Sequence, residues 1–163
     1  MLKQIIQADL TEALKKGDEV ARSTLRMLSA AILSKEKEKR YRISKEESEL
    51  TEQELAEKSN LTNEEIIEVV SSENKKRKEA ILGFEKGERK ELAEKEKAEK
   101  EVLKKYLPEQ LLEEEIKRLA KEAVEKVGAK EIKDMGKVMA EMMPKVKGRA
   151  DGNTVSEIVK ELL

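Results

Sequence analysis

Apolar residues recur at helical spacing along most of the chain, and glycine or proline interrupts them. Two stripes open the chain, and Gly17 and Asp18 separate them. The first stripe contains Leu2, Ile5, Ile6, Leu10, Ala13 and Leu14, and the second contains Val20, Leu25, Leu28 and Ile32. Residues three and four apart share a helix face, so each stripe predicts an amphipathic helix. Gly17 ends the first helix and Asp18 caps the second, which predicts an antiparallel pair.

Between residues 34 and 60 the apolar pattern weakens, because Lys, Arg, Glu and Ser dominate. We interpret this segment as a solvent-exposed, charged helical extension with a loose joint. It contains one helix start, where Thr51 and Glu54 have the spacing of a capping box. The same spacing recurs at Thr62 and Glu65 and predicts the start of a long helix.

The long helix is expected to end around Gly83 and Gly87. A further helix is predicted from Glu88 to Leu107, and Pro108 ends it because the residue before a proline is disfavoured in helices. Its expected apolar anchors are Leu92, Val102, Leu103 and Tyr106.

Three more stripes follow Pro108 and predict three short helices. They contain Ile116, Leu119, Ala120, Ala123, Val124 and Val127, then Met135, Val138, Met139 and Met142, then Val155, Ile158, Val159 and Leu162. Asp134 and Asp151 are expected N-caps. Pro144 is expected to kink or end the middle helix, and Gly148 suits a left-handed position after it.

Composition favours thin helical layers over one large core. Charged residues make up 44% of the chain, aromatic residues 2% and hydrophobic residues 37%. Good helix formers dominate, and runs of β-branched residues are scarce. The sequence therefore predicts an all-α fold of two helical bundles, with an N-terminal bundle over residues 1–107 and a small three-helix bundle over residues 108–163.

Several functional classes lack the residues that they require. The chain has no cysteine and no histidine, which removes thiolate chemistry, the usual general base and the commonest metal ligand. We find no catalytic set, no cofactor-binding loop and no metal-ligand cluster, so we predict no cofactor and no metal. No apolar run spans a bilayer and the N-terminus does not resemble a signal peptide, so we expect a cytoplasmic protein without membrane contact.

A basic bend is the best candidate for a binding site. Lys145, Lys147 and Arg149 lie around Pro144 and Gly148 with no acidic residue among them, and Lys137 is a possible fourth member. The net charge of −1 provides no global attraction for nucleic acid, so RNA binding requires such a local patch. The alternative is an ordinary solvated surface with capping residues, and charge alone favours that alternative.

Two other features carry weaker hypotheses. The run Lys75, Lys76, Arg77 and Lys78 is a secondary RNA-binding candidate, although basic residues late in a helix also complement its dipole. The methionines at 135, 139 and 142 are more often core than docking groove, and Met143 is expected at the rim.

The stretch DMGKVMAEMMPKVKGRADG over residues 134–152, with YLPEQL before it and VSEIVKELL after it, resembles the YqeY family. That family shares its fold with the C-terminal tail of the B subunit of tRNA-dependent amidotransferases (GatB). The resemblance runs from the first helix to the end, is densest from Tyr106 onward, and is weakest in the long segment 34–60. It implies a basic bend that lies against transfer RNA, and basic residues near 75–78. Family naming also implies a carbon–nitrogen ligase with glutamine as amido-N-donor.

Three functional hypotheses follow. The first is a non-catalytic helper of tRNA-dependent amidation that binds transfer RNA, or an enzyme that handles aminoacyl-tRNA, and does not bind DNA. The second is a protein–protein adaptor without RNA contact, which would use the Met-rich rim and the charged extension. Enzymatic activity is the third and least favoured, because the resemblance lies in the amidotransferase tail and not in its catalytic part.

Overall fold

A computed structural model of the protein describes residues 1–163, and it confirms the all-α prediction. The chain forms eight α-helices and no strand. The helices are α1 Leu2–Lys16, α2 Glu19–Glu46, α3 Glu52–Ser59, α4 Asn63–Lys86, α5 Lys90–Lys104, α6 Glu113–Val127, α7 Met135–Val146 and α8 Gly152–Leu162, with a 3₁₀ turn at Ile132–Asp134. None of these helices combines the length and the apolar character that a membrane span needs.

The chain divides into two compact units, Met1–Tyr106 and Leu107–Leu163. In the first unit α4 and α5 form the most extensive helix pair, and α2 packs against α1, α3, α4 and α5. The buried apolar side chains of this unit are Ile6, Ala13, Leu25, Leu28, Ile32, Ile43, Leu55, Leu61, Ile66, Val69, Val70, Ile81, Ala93, Leu103 and Tyr106. Most of them are aliphatic, as the composition indicates.

The predicted helix boundaries in the first unit are largely confirmed. Gly17 ends α1 in the left-handed conformation, with φ of 70°. The Asp18 carboxylate accepts a hydrogen bond from the Ala21 N–H at 2.9 Å and so caps α2. Both capping boxes are present, at the starts of α3 and α4.

Several predicted core positions are wrong. Ile5, Leu14, Val20 and Leu92 are all exposed. The reason is that each helix buries only part of its apolar stripe: Ile6 and Ala13 are buried on α1, and Leu25, Leu28 and Ile32 are buried on α2. On α5 the small side chain of Ala93 is buried in place of Leu92, and the predicted anchor Leu103 is buried as well.

The charged extension is helical, but one side of it is covered. α2 continues without a break to Glu46, and α3 packs back against it. Ile43 and Leu55 are buried between these elements. Glu36 is also buried, because Lys3 holds its carboxylate at 2.6 Å and 2.8 Å. The segment is therefore part of the first unit's packing, whereas we expected it to be solvent-exposed.

The second unit packs α6, α7 and α8 around one aliphatic core. Its buried members are Ile116, Ala120, Ala123, Val138, Met142, Val146, Val155, Ile158 and Val159. Pro144 does not end α7, which continues to Val146. The N–H that Pro144 lacks would have met the Ala140 carbonyl, and Ala140 is exposed, so water can reach that carbonyl.

Asp134 stands at the N-terminal boundary of α7, but it does not cap a first-turn N–H. Its carboxylate instead accepts from the Lys137 ammonium at 2.8 Å and from the Lys130 N–H at 3.4 Å. The 3₁₀ turn that precedes α7 places Asp134 in a helical conformation, and a capping residue needs an extended one.

Candidate nucleic-acid interface

The basic bend between α7 and α8 has a backbone fixed by hydrogen bonds. Gly148 adopts the expected left-handed conformation, with φ of 72°. The Gln110 side-chain amide donates to the Gly148 carbonyl at 2.8 Å and to the Pro108 carbonyl at 2.8 Å. The Leu111 N–H donates to the Arg149 carbonyl at 2.8 Å. The segment before α6 therefore holds the bend in place.

Arg149 joins the same set of contacts through its side chain. Its Nε donates to the Glu109 carbonyl at 3.1 Å, and the residue is half-buried. A carbonyl oxygen orients the guanidinium but does not cancel its charge. Arg149 forms no ion pair with a carboxylate, so it is a positioned cation at the bend.

Lys145 shares one carboxylate with a second lysine. Its ammonium lies 3.6 Å from the Glu141 carboxylate, whereas the Lys126 ammonium lies 2.6 Å from the same oxygen. Lys126, more than Lys145, lowers the pKa of the Glu141 carboxyl. Two ammonium groups and one carboxylate leave a net positive charge. Of the two lysines, Lys145 has the weaker ion pair with Glu141.

The other two candidates differ from each other. Lys137 lies one turn into α7 and pairs with Asp134, and this ammonium lowers the pKa of the Asp134 carboxyl. Lys137 therefore has a carboxylate partner of its own, and it lies at the opposite end of α7 from the bend. Lys147 is the C-cap of α7, is exposed, and lies directly before Gly148. Lys145, Lys147 and Arg149 thus lie within five consecutive residues at this bend.

The secondary basic run does not form one surface. Lys75 and Lys78 are exposed, and Lys76 pairs with Glu73 at 2.6 Å. Arg77 is buried against α5, where its Nε lies 2.8 Å from the Glu99 carboxylate. A buried guanidinium cannot reach a phosphate, so Arg77 contributes to packing and not to a surface site.

The expectation that Met135, Met139 and Met142 are core residues is confirmed for Met142, whereas Met135 and Met139 are only partly buried against the core. Met142 is fully buried, Met135 and Met139 are half-buried, and Met143 is 42% exposed. The second unit therefore uses Met142 as core, while Met143 lies at its rim one turn before Lys147.

A groove of about 720 Å³ lies between α2 and α4 in the first unit. Its charged lining is paired internally: Lys39 contacts Glu65 at 2.7 Å, and Lys35 contacts Glu38 at 2.6 Å. No group of three or more acidic side chains comes close enough together to hold a metal ion. Apart from Arg42, the groove thus offers little charge that would select a small ligand.

These features define an all-α protein of two helical units that displays cations on a hydrogen-bonded bend. The chain belongs to the family of Yqey-like proteins, whose family model matches residues 47–163, more than half of its length. The match confirms the resemblance for α3 to α8, and the first 46 residues lie outside it. No curated protein matches the chain.

Proposed function

We propose that this protein is a non-catalytic RNA-binding helper of tRNA-dependent amidation, and that its second unit binds transfer RNA through Lys145, Lys147 and Arg149. The observation that carries the proposal is that the Arg149 side chain is held in one orientation without an ion pair to a carboxylate. Its guanidinium is oriented by the Glu109 carbonyl at 3.1 Å and keeps its full charge. A cation fixed in this way loses little conformational entropy when it binds an anion.

The lysine and arginine side chains at the bend indicate which class of ligand it can bind. Lysine and arginine donate to phosphate oxygens, and folded RNA is recognised mainly through its backbone and its shape. The second unit has no aromatic ring that could stack on a base. Contacts to the phosphates of a folded RNA are the best match, and the family resemblance favours transfer RNA.

The net charge of the chain is −1, so the protein as a whole does not attract negatively charged RNA over long distances. The affinity must come from close contacts and must therefore depend on salt. Three such contacts give a log–log slope of affinity against salt of about −2 to −3. Fluorescence anisotropy with labelled, unmodified transfer RNA would measure this slope.

Two double variants test the residues of the bend. Lys145→Glu with Arg149→Glu removes the positioned cation, and Lys145→Glu with Lys147→Glu keeps the bond from Arg149 to the Glu109 carbonyl. Both should reduce binding at least about tenfold, because each cancels two cationic contacts and introduces repulsion. Circular dichroism and urea unfolding would check that both variants are folded.

A matched control separates the site from net charge. Lys121→Glu with Lys160→Glu makes the same change of charge at exposed positions on α6 and α8. This control should bind transfer RNA nearly as the parent does. Equal losses in all three variants, or unchanged binding in both bend variants, would contradict the proposal.

An adaptor without RNA contact is the second candidate. It is favoured by the exposed apolar side chains of the second unit, Leu112, Ile132 and Met143. If the parent protein shows no transfer RNA binding even at low salt, the adaptor function is preferred. Release of ammonia from glutamine by the purified protein would instead support the ligase activity that family naming implies.

A further inference from the structure

The C-terminal half of α2 carries a dense set of basic residues around an exposed tyrosine. Six cations occur between residues 35 and 45. They are Lys35, Lys37, Lys39, Arg40, Arg42 and Lys45. Tyr41 lies in their midst, and 67% of it is exposed. This part of α2 precedes residue 47, where the family match begins.

Three of the six cations are occupied by carboxylates. Lys35 pairs with Glu38 at 2.6 Å, Lys39 pairs with Glu65 at 2.7 Å, and Arg40 pairs with Glu52. Two of these pairs link α2 to α3 and α4 and hold the helix in place. The Lys39 and Arg40 side chains therefore hold α2 to its neighbours, and Lys35 already has a carboxylate partner on the same helix.

The remaining cations lie beside the ring. Lys37, Tyr41 and Lys45 are four residues apart in sequence, so they lie along one face of α2. The Lys45 ammonium lies over the ring of Tyr41, 5.6 Å from its centroid. Arg42 is the next residue, is exposed, and lies one turn from Lys45. Its charge also helps to lower the pKa of Glu65, but it does so less than Lys39 and Thr62.

We infer that Lys37, Tyr41, Arg42 and Lys45 form a binding site for unpaired nucleotides of RNA. An exposed aromatic ring offers a surface on which a base can stack, and the cations beside it can contact the flanking phosphates. Stacking needs a base that is free of its own helix, so the site should prefer single-stranded RNA to a duplex. This site lies in the first unit and is separate from the bend in the proposed function.

Binding of a fluorescein-labelled oligouridine of about ten nucleotides to the full-length protein tests the site. Tyr41→Ala should weaken binding about tenfold, since base–aromatic stacking contributes on that order. Tyr41→Phe keeps the ring and should bind as the parent does. Lys37→Ala with Lys45→Ala should weaken binding and lower the salt slope by about one unit. Lys35→Ala, at a paired cation of the same helix, should have little effect.

Intrinsic fluorescence provides an independent signal of stacking. The chain has two tyrosines and no tryptophan. The Tyr106 hydroxyl is bound to the Asp9 carboxylate at 2.6 Å and its ring is buried, whereas Tyr41 is exposed, so a base that stacks on the surface should act on the emission of Tyr41. Oligouridine should quench this emission in the parent protein, in proportion to occupancy.

Three results would overturn the inference: equal binding by Tyr41→Ala, equal affinity for a duplex of the same length, or binding without quenching. A variant of the basic bend tests whether the two proposed RNA sites bind independently of each other. Lys145→Glu with Lys147→Glu should leave oligouridine binding unchanged while transfer RNA binding falls. If that variant loses both, this site is not separate from the bend. If oligouridine never binds, only this inference fails.

Discussion

The Tyr106 hydroxyl donates a 2.6 Å hydrogen bond to the Asp9 carboxylate, and this bond joins the turn after α5 to the middle of α1. The two residues are 97 positions apart in sequence, and Tyr106 is buried. Burial, followed by the bond to Asp9, raises the pKa of Tyr106 above its ordinary value. The bond therefore fixes the last residue of the first unit to the first helix of that unit.

Replacing Tyr106 by Phe should destabilise the first unit. The change leaves the Asp9 carboxylate without its donor in a partly buried position, which costs about 1.5–3 kcal/mol for a bond to a charged group. Urea unfolding followed by circular dichroism would measure the change in free energy of unfolding. Tyr41→Phe is the matched control, because its exposed hydroxyl should contribute almost nothing. An unchanged urea midpoint in Tyr106→Phe would show that water replaces the bond.

Alkaline pH should weaken the same contact. A tyrosine whose pKa is raised in the folded state binds its proton more tightly there, so its contribution is complete below the ordinary value of 10.0 and is lost as pH rises beyond it. The difference in unfolding free energy between the parent and Tyr106→Phe should therefore shrink above about pH 10. A constant difference across that range would contradict the raised pKa.

Arg77 should be among the costliest residues to truncate. Its guanidinium lies 2.8 Å from Glu99 and 3.4 Å from Glu96, and it also contacts the Met27 sulfur at 3.6 Å. Arg77→Ala leaves the Glu99 carboxylate buried without a cation, which costs about 3–5 kcal/mol. Pairing Arg77→Met with Glu99→Leu should recover much of that loss in urea unfolding. Lys75→Ala, at an exposed neighbour, should change stability by less than about 0.5 kcal/mol.

Alanine should have opposite effects at two glycines of the second unit. Gly148 has φ of 72°, where an L-residue is strained by about 1–2 kcal/mol, so Gly148→Ala should destabilise. Gly136 lies inside α7 with open space where a Cβ would lie, so Gly136→Ala should stabilise by about 0.4–1 kcal/mol. Thermal unfolding of both variants would show the contrast. A shift of the same sign in both would contradict these two backbone conformations.

Glu65 should make stability depend on acidity. Its carboxylate is bound by the Lys39 ammonium and by the Thr62 N–H, and these bonds, with Lys39 first, lower its pKa from 4.5. A lowered pKa gives stability that is present above the ordinary value and is lost as pH falls through the folded value. Glu65→Gln should therefore reduce the loss of stability between about pH 5 and pH 3. Equal dependence of stability on pH in the parent and in Glu65→Gln would contradict the lowered pKa.

Local sequence rules predicted the helix starts and stops because those rules involve neighbouring residues. Thr62 and Glu65 are three residues apart, and both halves of their capping box are within one turn. Gly128 ends α6 in the left-handed conformation, with φ of 65°, and this stop depends only on the glycine itself. The all-α fold also followed from composition and spacing, because each helix carries its own apolar stripe.

Burial of charge could not be predicted in the same way. Arg77 is one of four adjacent cations in the sequence, and only the packing of α5 against α4 brings Glu99 beside it. Ala93 is buried where Leu92 was expected for a similar reason, since the side of α5 that meets its neighbours is a tertiary property. The sequence shows that the stretch around Tyr41 is charged, but which of its cations are paired depends on α3 and α4.

The hydrogen bonds that hold the basic bend come from far away in sequence, since Gln110 and Gly148 are 38 residues apart. A synthetic peptide covering residues 134–152 would carry the same charges but would lack Glu109, Gln110 and Leu111. The spatial arrangement of the three cations is thus created only when the whole three-helix unit has closed upon itself. The three cations therefore take up this arrangement only in the completely folded second unit. A partly unfolded second unit would lose the arrangement while its helices were still formed.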